Sequence, residues 1–279
     1  MNVRILILLL AVGAATAWLF IQKPELHAGL YLLLGLFTAC WLLSLLLKNS
    51  SIVDILWGPA FGIMAWFYLF TSHGVPMQRN VLFCILISMW GLRLGWHIGL
   101  RNVGKPEDPR YQAFRQQGGK HYWWISLFRV FWFQALIVWV LSSMFYQAMD
   151  HVYAFHLTDF LGIALWVLGY YLESKADRQL ADFRKNPANA GKVMDQGLWK
   201  YSRHPNYFGD ALLWWGLFCF VLPTEGGWVY VFAPLIMTYL LRFVSGVPLL
   251  EARLKKKAGY EAYMQRTSAF VPMPPREKV

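Results

Sequence analysis

The chain has 279 residues, of which 57% are hydrophobic, 18% aromatic and only 15% charged. A soluble domain carries roughly a quarter charged residues, so that class is excluded. The net charge of +11 lies in loops beside apolar runs, which fits membrane topology rather than nucleic-acid binding. Cys40, Cys84 and Cys219 stand singly within apolar runs, with no metal-ligand spacing. The glycines form neither a dinucleotide fingerprint nor a P-loop. No internal repeat is evident.

Residues 3–21 are the first apolar run, with Arg4 ahead of most of it and Ala-Thr-Ala at 15–17. This pattern fits a cleaved signal peptide or a retained anchor, and the apolar residues continuing through Ile21 favour the anchor. Further spans are expected at 29–47, 52–71, 80–100, 126–148, 157–172, 206–222 and 228–244. The expected fold is an all-α polytopic bundle of about seven or eight transmembrane helices. With the N-terminus in the cytoplasm, the loops 101–125 and 173–205 and the tail from 245 share one side and hold most of the Lys and Arg. The opposite connections contribute only Lys23 and Arg79. That asymmetry places both ends in the cytoplasm, and the cytoplasmic (inner) membrane is the expected location.

Charged groups within spans are costly and mark function by default. Asp54 lies near the start of the third span. Arg93 and His97 are four apart near the end of the fourth and share a face, and Gln134 lies at comparable depth in the fifth. An Asp54–Arg93 ion pair that only pins two helices is one reading. His97 favours another, because it adds a group that donates or moves a proton near neutral pH. The stretch Arg101–Tyr111, with two prolines and a glycine, reads as an ordered loop able to fold over a pocket mouth or as a plain connector.

Beyond the sixth span, Glu173, Asp177, Leu180 and Arg184 follow 4-3-4 spacing on one helix face. A solvated helix end explains them, but acids near the membrane with an arginine further out also suit a ribose-and-phosphate ligand. Lys192 and Arg203 are candidates to complete a phosphate cage. In Gly197–Asp210, Pro205 is placed to begin a helix. Its free N–H groups beside Arg203 and His204 make a seat for an anion, and Asn206 and Asp210 lie one turn apart. The tail from Leu249 is basic and partly amphipathic, suited to lying along the interface near anionic headgroups. Pro272, Pro274 and Pro275 preclude a regular helix at its end.

Several stretches together resemble the steroid 5-alpha-reductase family of integral membrane enzymes, in particular its bacterial branch. They are Ser51–Gly58, Gly91–Leu94 with His97, Arg101–Gly104, Glu107–Tyr111, Gly197–Asp210 and Ser245–Glu251. The resemblance implies one membrane domain over 1–279: N-terminal helices to 50, a substrate-facing half at 51–150 and a cofactor-binding half at 151–279. It implies NADPH in a cavity open to the cytoplasmic side, a lipid-like enone as substrate and no metal, nucleic acid or specified oligomeric state. Asp54, His97 and Arg93 would be catalytic. His97 would donate to the carbonyl oxygen, oriented through Asp54, while Arg93 holds Asp54 as a carboxylate. Glu173, Asp177, Leu180, Arg184, Lys192, Tyr201, Arg203, His204, Asn206, Asp210, Arg242, Ser245, Arg101 and Asn102 would contact the cofactor. The sequence departs from the family pattern with Asp for Glu at 54, His for Tyr at 97 and Glu for Asn at 173, so a steroid is not specified.

Arg203-His204-Pro205-x-Tyr207, with Glu251, Tyr260 and Tyr263, is also similar to membrane methyltransferases of isoprenylcysteine or phospholipid. S-adenosylmethionine would then replace NADPH, with His204 or Asn206 at the methyl donor. Asp54, Arg93 and His97 favour the reductase, since thiol methylation gives them no evident role. A non-catalytic lipid binder or transporter-like protein would need no cofactor.

Overall fold

The computed structural model describes residues 3–72, 78–102, 104–149 and 154–276. Its elements are α1 (Val3–Gln22), α2 (His27–Leu47), α3 (Ile52–Thr71), α4 (Gln78–Asn102), α5 (Pro109–Gly118), α6 (Tyr122–Ser126), α7 (Phe133–Met149), α8 (Leu157–Lys185), α9 (Pro205–Cys219), α10 (Phe232–Tyr239), α11 (Val247–Leu254) and α12 (Tyr260–Arg266). Short 3-10 and π turns join several of them. Among the described residues there is no strand, only one isolated bridge between Ser202 and Ser268.

Among the described residues, six helical stretches are long and apolar enough to cross a membrane: Val3–Gln22, Pro24–Leu47, Ile52–Thr71, Gln78–Asn102, Pro109–Met149 and Gly227–Leu254. The expected span at 157–172 is helical and that at 206–222 is helical as far as Cys219, but neither is among these six. The apolar part of α8 carries Asp159 and Glu173. At 15 residues, α9 extends roughly 22 Å, less than the ~30 Å hydrocarbon layer.

The chain divides into two compact units. One comprises Val12–Phe155 and Val221–Ala233; the other comprises Met1–Ala11, His156–Phe220 and Pro234–Val279. In the first unit α3 and α4 meet backbone to backbone. A Cβ on Gly58 would lie 2.5 Å from the Gly91 carbonyl oxygen, and one on Gly95 would lie 2.8 Å from that of Ile55. Phe61, Trp90, Phe83 and Phe145 form the aromatic core beside this crossing.

Arg79 lies in the first turn of α4, almost wholly buried. Its Nη1 donates to the Ala148 carbonyl at 2.6 Å, and Asn80 Nδ2 donates to that of Met149. Both side chains therefore satisfy carbonyls at the end of α7, where a helix presents partial negative charge.

In the second unit α8 and α9 pack through small residues. A Cβ on Gly162 would meet the Gly216 carbonyl oxygen at 2.6 Å, and one on Gly169 would meet that of Gly209 at 2.5 Å. The pairing 162 with 216 and 169 with 209 makes the helices antiparallel. It also lets α8 present Glu173 and Asp177 to the first turns of α9.

Candidate functional site: two polar clusters

The cluster in the second unit is built where the antiparallel helices begin to part. As expected from Pro205, α9 starts there, with Pro205 in its first turn. A Cβ on Gly209 would lie 2.6 Å from the Glu173 backbone nitrogen, so the helices touch at this level. Asn206 reaches across and donates from Nδ2 to Asp177 Oδ1 at 2.9 Å. A carboxylate accepts only, so this bond fixes which end of the amide faces Asp177. Asn206 Oδ1 points the other way, buried and without a hydrogen-bond partner among the described residues. Glu173, Asp177 and Asp210 are all buried here. Further along the single helix α8, Leu180 is half-buried and Arg184 exposed, so the 4-3-4 face runs from the packed interior out to solvent.

Arg203 and His204 do something other than the expected anion seat. Arg203 is 8% exposed. Its Nε donates to Glu251 Oε1 at 2.7 Å, and its Nη1 donates to the Met264 and Thr267 carbonyls. The guanidinium is thereby turned inward as a tie to α11 and α12. His204 lies against the same Glu251 oxygen at 3.4 Å and stacks on Tyr207. Burial pushes its pKa down, and the charges of Arg203 and Arg242 add to that; together they outweigh Glu251, which acts the other way. A neutral imidazole gives no charge to a phosphate.

The tail is tied to the entry of α9 by hydrogen bonds. Ser202 Oγ donates to the Phe270 carbonyl at 2.7 Å, the Arg203 N–H to that of Ser268 at 2.8 Å, and the Met273 N–H to that of Tyr201 at 3.0 Å. Tyr263 donates from its hydroxyl to the Trp199 carbonyl. Residues 263–273 therefore fold back over Trp199–Arg203 and hold the entry to α9 in place. Trp199 Nε1 donates to the Ala176 carbonyl, and Gln179 Oε1 accepts from the Leu198 N–H, which fixes the same stretch to α8. Lys192 and Tyr201 are exposed, the Lys192 carbonyl accepting from Lys257 Nζ. Arg242 lies over the Phe243 ring, and Ser245 Oγ donates to the Leu240 carbonyl.

The cluster in the first unit centres on Asp54, in the first turn of α3. Its partners are not Arg93 and His97. Asp54 Oδ2 accepts from Arg110 Nη2 at 2.7 Å, and Oδ1 accepts from the Tyr111 hydroxyl at 2.6 Å. The Tyr111 oxygen in turn accepts from Gln134 Nε2 at 3.2 Å, which gives Gln134 a place in the cluster. Arg93 and His97 sit on α4 at intermediate exposure. Arg101 and Asn102 end the same helix, with Arg101 Nε bonded to Asn102 Oδ1.

Arg110 and Tyr111 lie in the Glu107–Tyr111 stretch, where the sequence alone gives them no separate role. The signal for them was Asp108-Pro109, a helix start inside what reads as a loop. Asp108 Oδ1 caps α5 by accepting from the Arg110 N–H at 2.9 Å. This turn is fastened to the chain ahead of α3. Ser51 Oγ accepts from the Asp108 N–H at 2.7 Å, Glu107 Oε1 accepts from the Ser50 N–H at 2.6 Å, and Arg115 grips both Glu107 oxygens. Burial pushes the Glu107 carboxyl upward, but the bonds from Arg115 and Ser50 outweigh it and hold the pKa below the usual carboxylate range.

A family model described as protein of unknown function (DUF1295) matches residues 40–267. An uncharacterized protein of Schizosaccharomyces pombe is 30% identical over 221 residues, covering 69% of this chain and 63% of that one. The 3-oxo-5-alpha-steroid 4-dehydrogenase 1 of Homo sapiens is 28% identical over 153 residues, 53% of this chain and 54% of its own. The Delta(14)-sterol reductase LBR of Gallus gallus is 33% identical over 120 residues, 36% of this chain and 17% of its own. The chain thus spans less than two thirds of the length of each of these relatives. No solved structure matches it. With more than half of its length under the family model, the chain belongs to the DUF1295 family, which is a steroid 5-alpha-reductase-like family.

Proposed function

We propose that this protein is a membrane-embedded, NADPH-dependent reductase of a carbon–carbon double bond conjugated to a carbonyl, in a steroid-like or other lipid. In this reading the segments 101–125 and 173–205 and the tail face the cytoplasm. The observation that carries it is the buried Asp177–Asn206 pair, with Asn206 Oδ1 left as an acceptor awaiting a donor. Its support is the similarity to a steroid dehydrogenase and a sterol reductase.

The donor set fits a nicotinamide nucleotide. An unsatisfied buried amide oxygen suits a carboxamide N–H, since an unpaired buried acceptor costs about 1–3 kcal/mol until it is satisfied. Buried carboxylates at Glu173, Asp177 and Asp210 suit hydroxyl and amide donors, whereas a phosphate beside them would be repelled. The phosphates therefore belong at the exposed end of α8, near Arg184 and Lys192; Arg203 is committed to Glu251 and two carbonyls. A bound reduced nicotinamide supplies the hydride. The chain's own work is to orient that group, exclude water and steady the charge that develops on the substrate oxygen.

Thermal unfolding of the detergent-solubilised protein separates this reading from a methyltransferase. A ligand at a hundredfold excess over its Kd stabilises the folded state by about 2.7 kcal/mol, which for a chain of this size raises Tm by roughly 5 °C or more. NADPH is expected to give that rise and S-adenosylmethionine none. The reverse result assigns the site to methyl transfer.

A further inference from the structure

In the first unit, Arg110 keeps unused hydrogen-bond donors among the described residues. Asp54 has both oxygens engaged, Oδ1 by Tyr111 and Oδ2 by Arg110. Tyr111 is 4% exposed; its one hydroxyl proton goes to Asp54 while its oxygen accepts from Gln134. Neither group has a donor left for a substrate. Arg110 differs. Its Nε donates to Asp108 Oδ1 at 2.9 Å and its Nη2 to Asp54 Oδ2 at 2.7 Å. Nη1 makes no hydrogen bond among the described residues, and the side chain is 32% exposed. Two carboxylates on Nε and Nη2 fix the orientation of the planar guanidinium and leave the N–H donors of Nη1 unused among the described residues. Asp108 is itself anchored by Ser51, and Asp54 by the Tyr111–Gln134 chain, so the fork is held from three elements.

We propose that Arg110 is a catalytic residue whose Nη1 edge receives the carbonyl oxygen of the conjugated substrate, with Asp54, Asp108, Tyr111 and Gln134 as positioning residues. The assignment rests on the reductase reading. When hydride adds at the β-carbon, the electron pair of the carbon–carbon double bond moves onto the carbonyl oxygen. Arg110 stabilises that enolate through hydrogen bonds and keeps its own protons. A proton from water then completes the α-carbon, so one hydride and one proton are added across the former double bond. Donors fixed before the reaction are the most effective kind, because nothing has to reorient as charge develops. Asp54 then orients this donor and transfers no proton, and His97 is not needed at the oxygen.

The test is the ultraviolet absorption of protein-bound 4-androstene-3,17-dione, measured without cofactor. A hydrogen bond to a conjugated ketone moves its absorption to longer wavelength. The wild type is expected to show this shift. R110K keeps the charge opposite Asp54 but loses the fork, and it is expected to lose the shift and about 100-fold in kcat/KM. D108N keeps the helix cap, since Asn caps as well as Asp, but it loosens the fork; it is expected to keep Tm and show a weakened shift. A wild type that gives no shift overturns the assignment. So does a folded R110K or D108N with an unchanged shift, or loss of the shift in H97F alone. NADPH oxidation is read separately: a bound, shifted ketone with no oxidation overturns the reductase reading and leaves Arg110 as the carbonyl-binding group.

Discussion

Replacing Asn206 with Leu is expected to weaken NADPH binding and also to lower Tm. The substitution deletes the donor to Asp177 and the orphaned acceptor together and puts a larger apolar group of the same branching in their place. The one bond lost to the cofactor amounts to about 1.5 kcal/mol, or roughly 10-fold in Kd; the bond to Asp177 is made with or without cofactor, and its loss falls on stability. Asn206→Asp should be worse still, since it sets a fourth carboxylate among Glu173, Asp177 and Asp210 and like charges repel strongly when buried. Calorimetric titration with NADPH measures both variants. An N206L protein that is folded and binds NADPH as the wild type does would remove the α8–α9 cluster from the cofactor site.

Arg203→Met is expected to act on stability. Its guanidinium is bonded to Glu251 and to the Met264 and Thr267 carbonyls, and both charged side chains are largely buried. Removing one partner of a buried pair typically costs about 3–5 kcal/mol, because the other charge is left without compensation. The double variant R203M/E251L, which removes both charges, should recover much of that loss. Denaturant unfolding reads the three proteins. A phosphate-gripping Arg203 would give the opposite pattern, with NADPH affinity falling steeply and Tm unchanged.

Much of the α8–α9 cluster is legible in the sequence because its determinants are local. Pro205 sets a helix start, and Glu173 with Asp177 and Asn206 with Asp210 are spaced to share faces; each pattern needs only the helical period. What the sequence hides are partners far along the chain. Arg203 looks like a phosphate ligand until Glu251, 48 residues on, and Thr267, 64 residues on, take up its donors. Asp54 looks like the partner of Arg93, but Arg110, 56 residues later, takes that place. Arg110 is brought there by a short helix within a stretch that prolines and a glycine mark as a loop. Arg79 reads as a topological charge on the wrong side, yet it meets the carbonyls closing α7. The α8–α9 contact explains why 157–172 and 206–222 depart from the span pattern: their glycines and acids serve helix packing and the polar cluster, at the expense of hydropathy.

The central claim is that a hydride passes from the nicotinamide to a carbon conjugated to a carbonyl. The most direct measurement is to incubate the purified protein with NADPH deuterated at the nicotinamide C4 and a panel of conjugated lipid ketones, and to locate the label by mass spectrometry and NMR. The account predicts a saturated ketone carrying one deuterium at the β-carbon and an unlabelled, solvent-derived hydrogen at the α-carbon. Recovery of every ketone unreduced, or of products methylated from S-adenosylmethionine, would contradict it.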